Sequence, residues 1–303
     1  MKKSNGSLFV VAAAGLWAVD GILRRSLYSL PPLAIVFWEH LIGLLILVPA
    51  NWRQLQPKLI KKESWLIAAV IGLFSGLIGT LAFTAALQQV SFIPFSVVLL
   101  MQKLQPIFAG ITAFIILKEH FTRKYILWAM LALVAGFFVT FPNGHISWLS
   151  GQGQIQAALL ALAAAIAWGG STSLSKVLLK YQTEAQATTL RFGWTIIWSL
   201  VAILMFSPAV LRSMPTIGQL GLLLIIALST GMVAVYLYYR GLKTTPVMVA
   251  TILELTFPVL AVFIDIFLYK SVLAPSQYLA ALAMLVCMYQ VNRSHITTSS
   301  EPL

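Results

Sequence analysis

Asp20, Glu39, Arg191 and Glu254 are ionisable side chains set inside long apolar stretches, and Gln102, Lys103 and Gln105 interrupt another. An ionisable group in the middle of a hydrocarbon layer costs about 2.5 to 3.5 kcal/mol on insertion scales, so each needs a partner, a solute or a proton. Carboxylates in that setting can exchange protons, which makes Glu39, Glu254 and Asp20 candidates for proton coupling. Trp17 and Trp168 are the aromatic candidates, and an aromatic wall near a carboxylate suits an ammonium group through cation–π attraction. Structural readings stand beside these. Asp20 can pair with Arg24 one helical turn later, and Glu39 can form a salt bridge with Arg191. Asp265, near the end of its apolar run, reads as an interfacial residue.

The elements that must carry these residues follow from composition. Of 303 residues, 60% are hydrophobic and 9% charged, against about 25% charged in a soluble domain. Runs of roughly 20 apolar residues, each long enough to cross a hydrocarbon core, recur along the chain. Ten spans are expected, at 7–24, 31–50, 64–87, 93–117, 124–141, 154–176, 184–206, 216–239, 246–269 and 276–292. All should be helices, because an open strand in lipid leaves backbone groups unpaired. The polar tail SHITTSSEPL is expected to be disordered. The net charge of +12 does not point to nucleic acid, since the basic residues sit in short loops between apolar runs and match anionic lipid and the positive-inside rule. With a single cysteine, Cys287, and four dispersed histidines, no metal or cofactor site is expected. The start, two lysines followed by an apolar run, resembles a signal peptide but is expected to stay, because the segment has a counterpart in mid-chain.

That counterpart belongs to a duplication. PFSVVLLMQKLQP at 94–106 returns as PVMVATILELTFP at 246–258, an offset of 152, with prolines twelve apart in both. Trp17 matches Trp168 at 151, and Glu39 matches Arg191 at 152. Two repeats are therefore expected, 1–147 and 148–303, with five spans each. Five is odd, so the second copy crosses in the opposite sense, an arrangement found in secondary transporters with a midplane site between the repeats. Fourteen Lys and Arg fall on one side of this threading, and four, Arg24, Arg25, Arg212 and Lys270, on the other. Both termini are accordingly expected in the cytoplasm.

These segments carry a resemblance. LWAVDGILRR and AWGGSTSLSK at the two repeat starts, LQPIFAGITAFIILKEH and TFPVLAVFIDIFLYK, and Arg191 in the seventh span resemble the drug/metabolite transporter superfamily, EamA type, over nearly the whole chain. The resemblance implies an all-α membrane protein of ten transmembrane helices in two inverted five-helix repeats. It also implies a carrier of small organic metabolites, often an exporter, in the inner membrane of a bacterium, with no ATP-hydrolysing part. Two features depart from the pattern. Glu39 stands where such repeats often have arginine, and Lys270-Ser271 stands where the first repeat has Lys118-Glu119.

The expected binding wall comprises Trp17, Glu39, Gln102, Gln105, Trp168, Arg191 and Tyr239, with Trp38, Trp194, Trp198 and Tyr236 as further aromatic candidates. Gln102 and Gln105 share a helix face. Pro106 and Pro258 should free the carbonyls of Gln102 and Glu254 by removing one helical hydrogen bond each. A carboxylate opposite a guanidinium favours amino-acid-like or amine solutes. Carriage of nucleotide-derived or other anionic metabolites remains open, as do a channel and a membrane enzyme, although no nucleophile–base constellation is visible. Gly72 and Gly76 read as a helix-packing face.

Overall fold

Proline and glycine punctuate an otherwise continuous apolar chain, and the helices start and stop where they fall. The computed structural model describes residues 6–56, 60–89, 101–102, 104–144, 152–267 and 274–298. Among these, every regular element is helical: α1 Gly6–Arg25, α2 Pro32–Asn51, α3 Lys62–Ile71, α4 Thr80–Gln88, α5 Gln105–Thr112, α6 Arg123–Thr140, α7 Gln152–Tyr181, α8 Glu184–Phe206, α9 Ile217–Ile226, α10 Met232–Leu242, α11 Val247–Leu253, α12 Thr256–Phe267 and α13 Pro275–Thr298. Six stretches within them are long and apolar enough to cross a membrane. Large apolar side chains such as Leu204, Met205 and Phe206 on α8 and Leu279 and Leu282 on α13 face outward, as lipid-facing surfaces require. This is an integral membrane protein.

Local chemistry sets the helix starts. Pro32 opens α2 with its φ already helical. Thr183 with Gln186, and Thr216 with Gln219, form reciprocal capping boxes ahead of α8 and α9. A π-helical segment, Gly72–Gly79, joins α3 to α4, and another, Ala227–Gly231, joins α9 to α10. Their last residues are 152 positions apart, so the same irregularity recurs at equivalent points.

The packing pairs elements reciprocally. Helix α1 lies against α10, α11 and α12, while α7 lies against α3, α4, the first π segment and α5. Helix α2 packs on α8, and α6 on α13. Gly72 and Gly76 do serve as a packing face: a Cβ at Gly72 would stand 2.6 Å from Trp194 Cβ, and one at Gly76 would collide with Thr195 of α8. Gly169 does the same for α5. A Cβ there would come within 2.6 Å of the Gln105 carbonyl oxygen, so glycine is what lets the α5 backbone reach α7.

Helix α13 continues to Thr298, and the rest of the polar tail, 299–303, lies outside the described residues. One expectation needs correction. Arg24, counted among the loop charges on one side, is buried at 4% exposure with a carboxylate on either hand. Lys103, Lys270, Trp148 and the side chain of Asp265 lie outside the described residues.

Candidate functional site

A cavity of about 150 Å³ opens where α1, α2, α4, α7, α8, α10 and the α11–α12 junction converge. Its wall includes Trp17, Asp20, Glu39, Gln102, Gln105, Trp168, Arg191 and Glu254, so residues up to 237 positions apart in sequence meet in one place. Tyr239 is not part of that wall. It is fully buried behind it, with its hydroxyl 3.2 Å from Ser175 Oγ, and its neighbour Tyr238 faces the cavity instead. Trp198 donates its indole N–H to the Ala69 carbonyl and stacks on Trp194, which places both at the α3–α8 contact. Trp38 and Tyr236 also stand away from the lining.

One side of the cavity is ionic. Arg24 Nε donates to Asp20 Oδ2, and Arg24 Nη2 lies 2.8 Å from Glu39 Oε2. The second contact is short but poorly aligned, an ion pair rather than a directed hydrogen bond, since Oε2 gains no hydrogen-bond partner from it. Thr230 donates to Asp20 Oδ1 at 2.5 Å. Asp20 therefore takes the expected local partner. Glu39 does not pair with Arg191; α1 and α2 both pack against α4 and the second π segment, and this brings Glu39 beside Arg24. The Arg191 guanidinium makes no hydrogen bond or ion pair among the described residues, and its buried Nε has no acceptor.

The other side is neutral apart from one carboxylate. Tyr238 donates to Glu254 Oε1 at 2.6 Å, and Gln105 Nε2 donates to Glu254 Oε2 at 2.7 Å. Glu254 sits in the break between α11 and α12. Its own carbonyl is not left free as expected from Pro258: it accepts from Phe257 N at 3.0 Å, a tighter turn replacing the lost helical bond. Two charged groups hold this broken helix in place. Glu119 accepts from the backbone N–H groups of Val247 and Met248 at 2.9 and 3.2 Å, capping the start of α11. Lys176 donates to the carbonyls of Leu242 and Thr245 at 2.5 and 2.7 Å, where α10 ends.

Two aromatic pairs complete the wall. Trp17 of α1 meets Tyr238 of α10 at 5.3 Å between ring centroids and 54° between planes. Trp168 of α7 meets Phe83 of α4 at 5.3 Å and 57°. Each pair joins the first span of one half to the third span of the other. Trp168 also donates its indole N–H to the Ser75 carbonyl at 3.0 Å, which fixes the ring plane.

The description of the EamA-like transporter family matches residues 4–141 and again 155–293. The chain belongs to that family. This EamA-like transporter is 35% identical over 293 residues to "Riboflavin transporter ImpX" of Fusobacterium nucleatum, covering 95% of this chain and 98% of the relative. It is 26% identical to "Uncharacterized transporter YwfM" of Bacillus subtilis, covering 96% and 95%. One solved crystal structure superposes with a TM-score of 0.77 at 16% identity, over 96% of this transporter and 99% of that chain. At that identity the likeness concerns the fold.

Sequence reasoning missed Tyr238 and Thr230, and it expected Arg24 only as a partner of Asp20, not as a cavity residue that also meets Glu39. The signal for Arg24 was present, since an Asp four residues before an Arg near the end of an apolar helix can hold the Arg inward. Nothing in the sequence singles out Tyr238 from Tyr239, which differ by about 100° around the helix.

Proposed function

We propose that this transporter carries a planar, hydrogen-bonding metabolite of the flavin class, riboflavin first among them, across the inner membrane of a bacterium. The observation that carries this reading is the matched pair of aromatic contacts, Trp17–Tyr238 and Phe83–Trp168, on a cavity with unused polar groups between them. A tricyclic ring gains about 1 to 3 kcal/mol by stacking on each aromatic side chain, by analogy with nucleobases. Arg191 offers donors, and the buried Gln102 Oε1 offers an acceptor without a partner among the described residues. A cyclic imide edge, with two carbonyls flanking an N–H, presents the complementary groups. The similarity to a protein named as a riboflavin transporter supports the same class.

The transport cycle we infer is alternating access by two inverted five-helix repeats around this cavity, with both termini cytoplasmic. The reciprocal packing of α1 and α7 and the equivalent π segments support it. In a Cys287→Ser background, a cysteine replacing Met214 should react with an impermeant thiol reagent applied to intact cells. A cysteine replacing Glu63 should not, and the reverse pattern overturns the threading.

Amine or amino-acid-like solutes form the second reading. Their original basis was a Glu39–Arg191 dipole facing the solute, and Glu39 is instead engaged by Arg24. What still favours an amine is Glu254, a carboxylate beside Trp17 and Tyr238 with no cationic partner among the described residues. Counterflow in proteoliposomes separates the two. Vesicles preloaded with unlabelled riboflavin should transiently accumulate labelled riboflavin in a saturable manner. Counterflow of an amine or amino acid with none of riboflavin overturns the flavin reading.

A further inference from the structure

Among the described residues, five side chains with formal charge line the cavity: Asp20, Arg24, Glu39, Arg191 and Glu254. The first four, two acids and two arginines, sum to zero. Glu254 is the remainder, and its environment differs from that of the other acids. Asp20 and Glu39 both lean on Arg24, so protonating either would strip a counter-charge from a buried guanidinium. Glu254 has neutral donors on both oxygens and, among the described residues, no cation within ion-pair distance. An unpaired carboxylate charge inside a membrane protein is costly, and the cost vanishes when the group takes up a proton.

The groups on every neighbouring element leave that balance intact. From α10, Tyr238 touches Glu254 and Tyr239 lies behind it. From α1, Asp20 and Arg24 are bound to each other. On α2 and α8, Glu39, His40 and Arg191 line the same cavity, with His40 Nδ1 held 2.8 Å from the Val36 carbonyl. Lys176 on α7 is turned to backbone carbonyls, Glu119 beyond α5 to backbone N–H groups, and Tyr125 on α6 to the Met248 carbonyl. Cys287 on α13 is buried.

We propose that Glu254 is the proton-binding site of this carrier and that Tyr238 is the hydrogen-bond partner that switches with it, so that solute movement is coupled to proton movement through this one carboxyl. In the proton-free form Tyr238 and Gln105 donate to the two oxygens, as the structure has them. Uptake forms an O–H bond at Oε1 with a proton from cavity water. The Tyr238 hydroxyl then turns, accepting from Glu254 and donating toward the neighbouring Thr172 hydroxyl, which also lines the cavity. Release breaks the same O–H bond and returns the proton to water on the opposite face, with no change of oxidation state. A proton suits the site because its uptake needs only a hydroxyl rotation and leaves the side chains that hold Glu254 in place.

This inference rests on the chain being a carrier and not on which solute it carries. Infrared spectroscopy of the purified transporter in lipid, without solute, reads it directly. Acidification should bring up a protonated-carboxyl stretch that Glu254→Gln removes, Tyr238→Phe shifts in frequency, and Glu254→Asp keeps at an altered midpoint. In proteoliposomes with riboflavin and an entrapped pH dye, wild type should move protons with solute. Glu254→Gln should retain counterflow but lose accumulation driven by a pH gradient. A wild-type-minus-Glu254→Gln difference spectrum with no titrating carboxyl band overturns the proposal, as does undiminished pH-driven accumulation by that variant. A failure of riboflavin transport alone, with the infrared result as expected, overturns the flavin reading and leaves the proton site standing.

Discussion

The two sides of the cavity hold acids in opposite ways. At Arg24, one guanidinium binds two carboxylates and is buried with them, so the charges are mutually dependent and fixed. At Glu254, one carboxylate is held by a phenol and an amide, neutral groups that tolerate both of its protonation states. The difference teaches that burial alone does not assign a role to a membrane carboxylate. What surrounds it does.

The sharpest way to break the comparison is Arg24→Gln. It strands Asp20 and Glu39 without their cation, and removing one partner of a buried ion pair costs about 3 to 5 kcal/mol. The expected outcome is a large drop in thermal midpoint in detergent, or loss of folded protein. Adding Glu39→Gln to Arg24→Gln should recover part of that loss, because it removes one of the two stranded charges. A double variant no more stable than the single would show that Glu39 does not depend on Arg24.

Much of this contrast was half legible in the sequence. The prolines at 106 and 258 and the polar residues before them marked both broken segments, and Gln102, Gln105 and Glu254 do reach the cavity. Trp17 and Trp168 were legible for the same reason, since equivalent positions in a duplicated chain occupy equivalent places. That equivalence misled for Glu39 and Arg191. Residues at equivalent positions in the two family-matched segments can both line the cavity without touching each other. Here the contact fell to Arg24, because α1 and α2 both pack against α4 and the second π segment, a long-range fact that no spacing encodes. Tyr238 and Tyr239 were indistinguishable because α10 is buried on most of its circumference, which erases the periodic signal that would separate an inward face from an outward one.

On the neutral side the expected effects are smaller. Tyr238→Phe removes one hydrogen bond to a carboxylate, worth about 1.5 to 3 kcal/mol when the acceptor is charged. It should therefore lower the thermal midpoint less than Arg24→Gln, and more at alkaline than at acidic pH. An equal loss at both ends of the pH range would mean that Glu254 does not change protonation state.

Glu254→Gln should have the least effect on stability. The amide oxygen can still accept from Tyr238, no cation is stranded, and the thermal midpoint should stay within about 1 kcal/mol of wild type. A collapse comparable to that of Arg24→Gln would place Glu254 in the same structural class as Asp20 and Glu39 and erase the comparison.

The most direct test of the central claim, that this cavity holds the solute between two aromatic pairs, is equilibrium binding of riboflavin read by quenching of flavin fluorescence. Wild type should quench saturably, and Trp17→Ala and Trp168→Ala should each weaken binding by about tenfold, the equivalent of some 1.4 kcal/mol of stacking. The double variant should weaken binding by about a hundredfold. Saturable quenching of unchanged affinity in the double variant would contradict the account, because the flavin would then be bound somewhere other than between these rings.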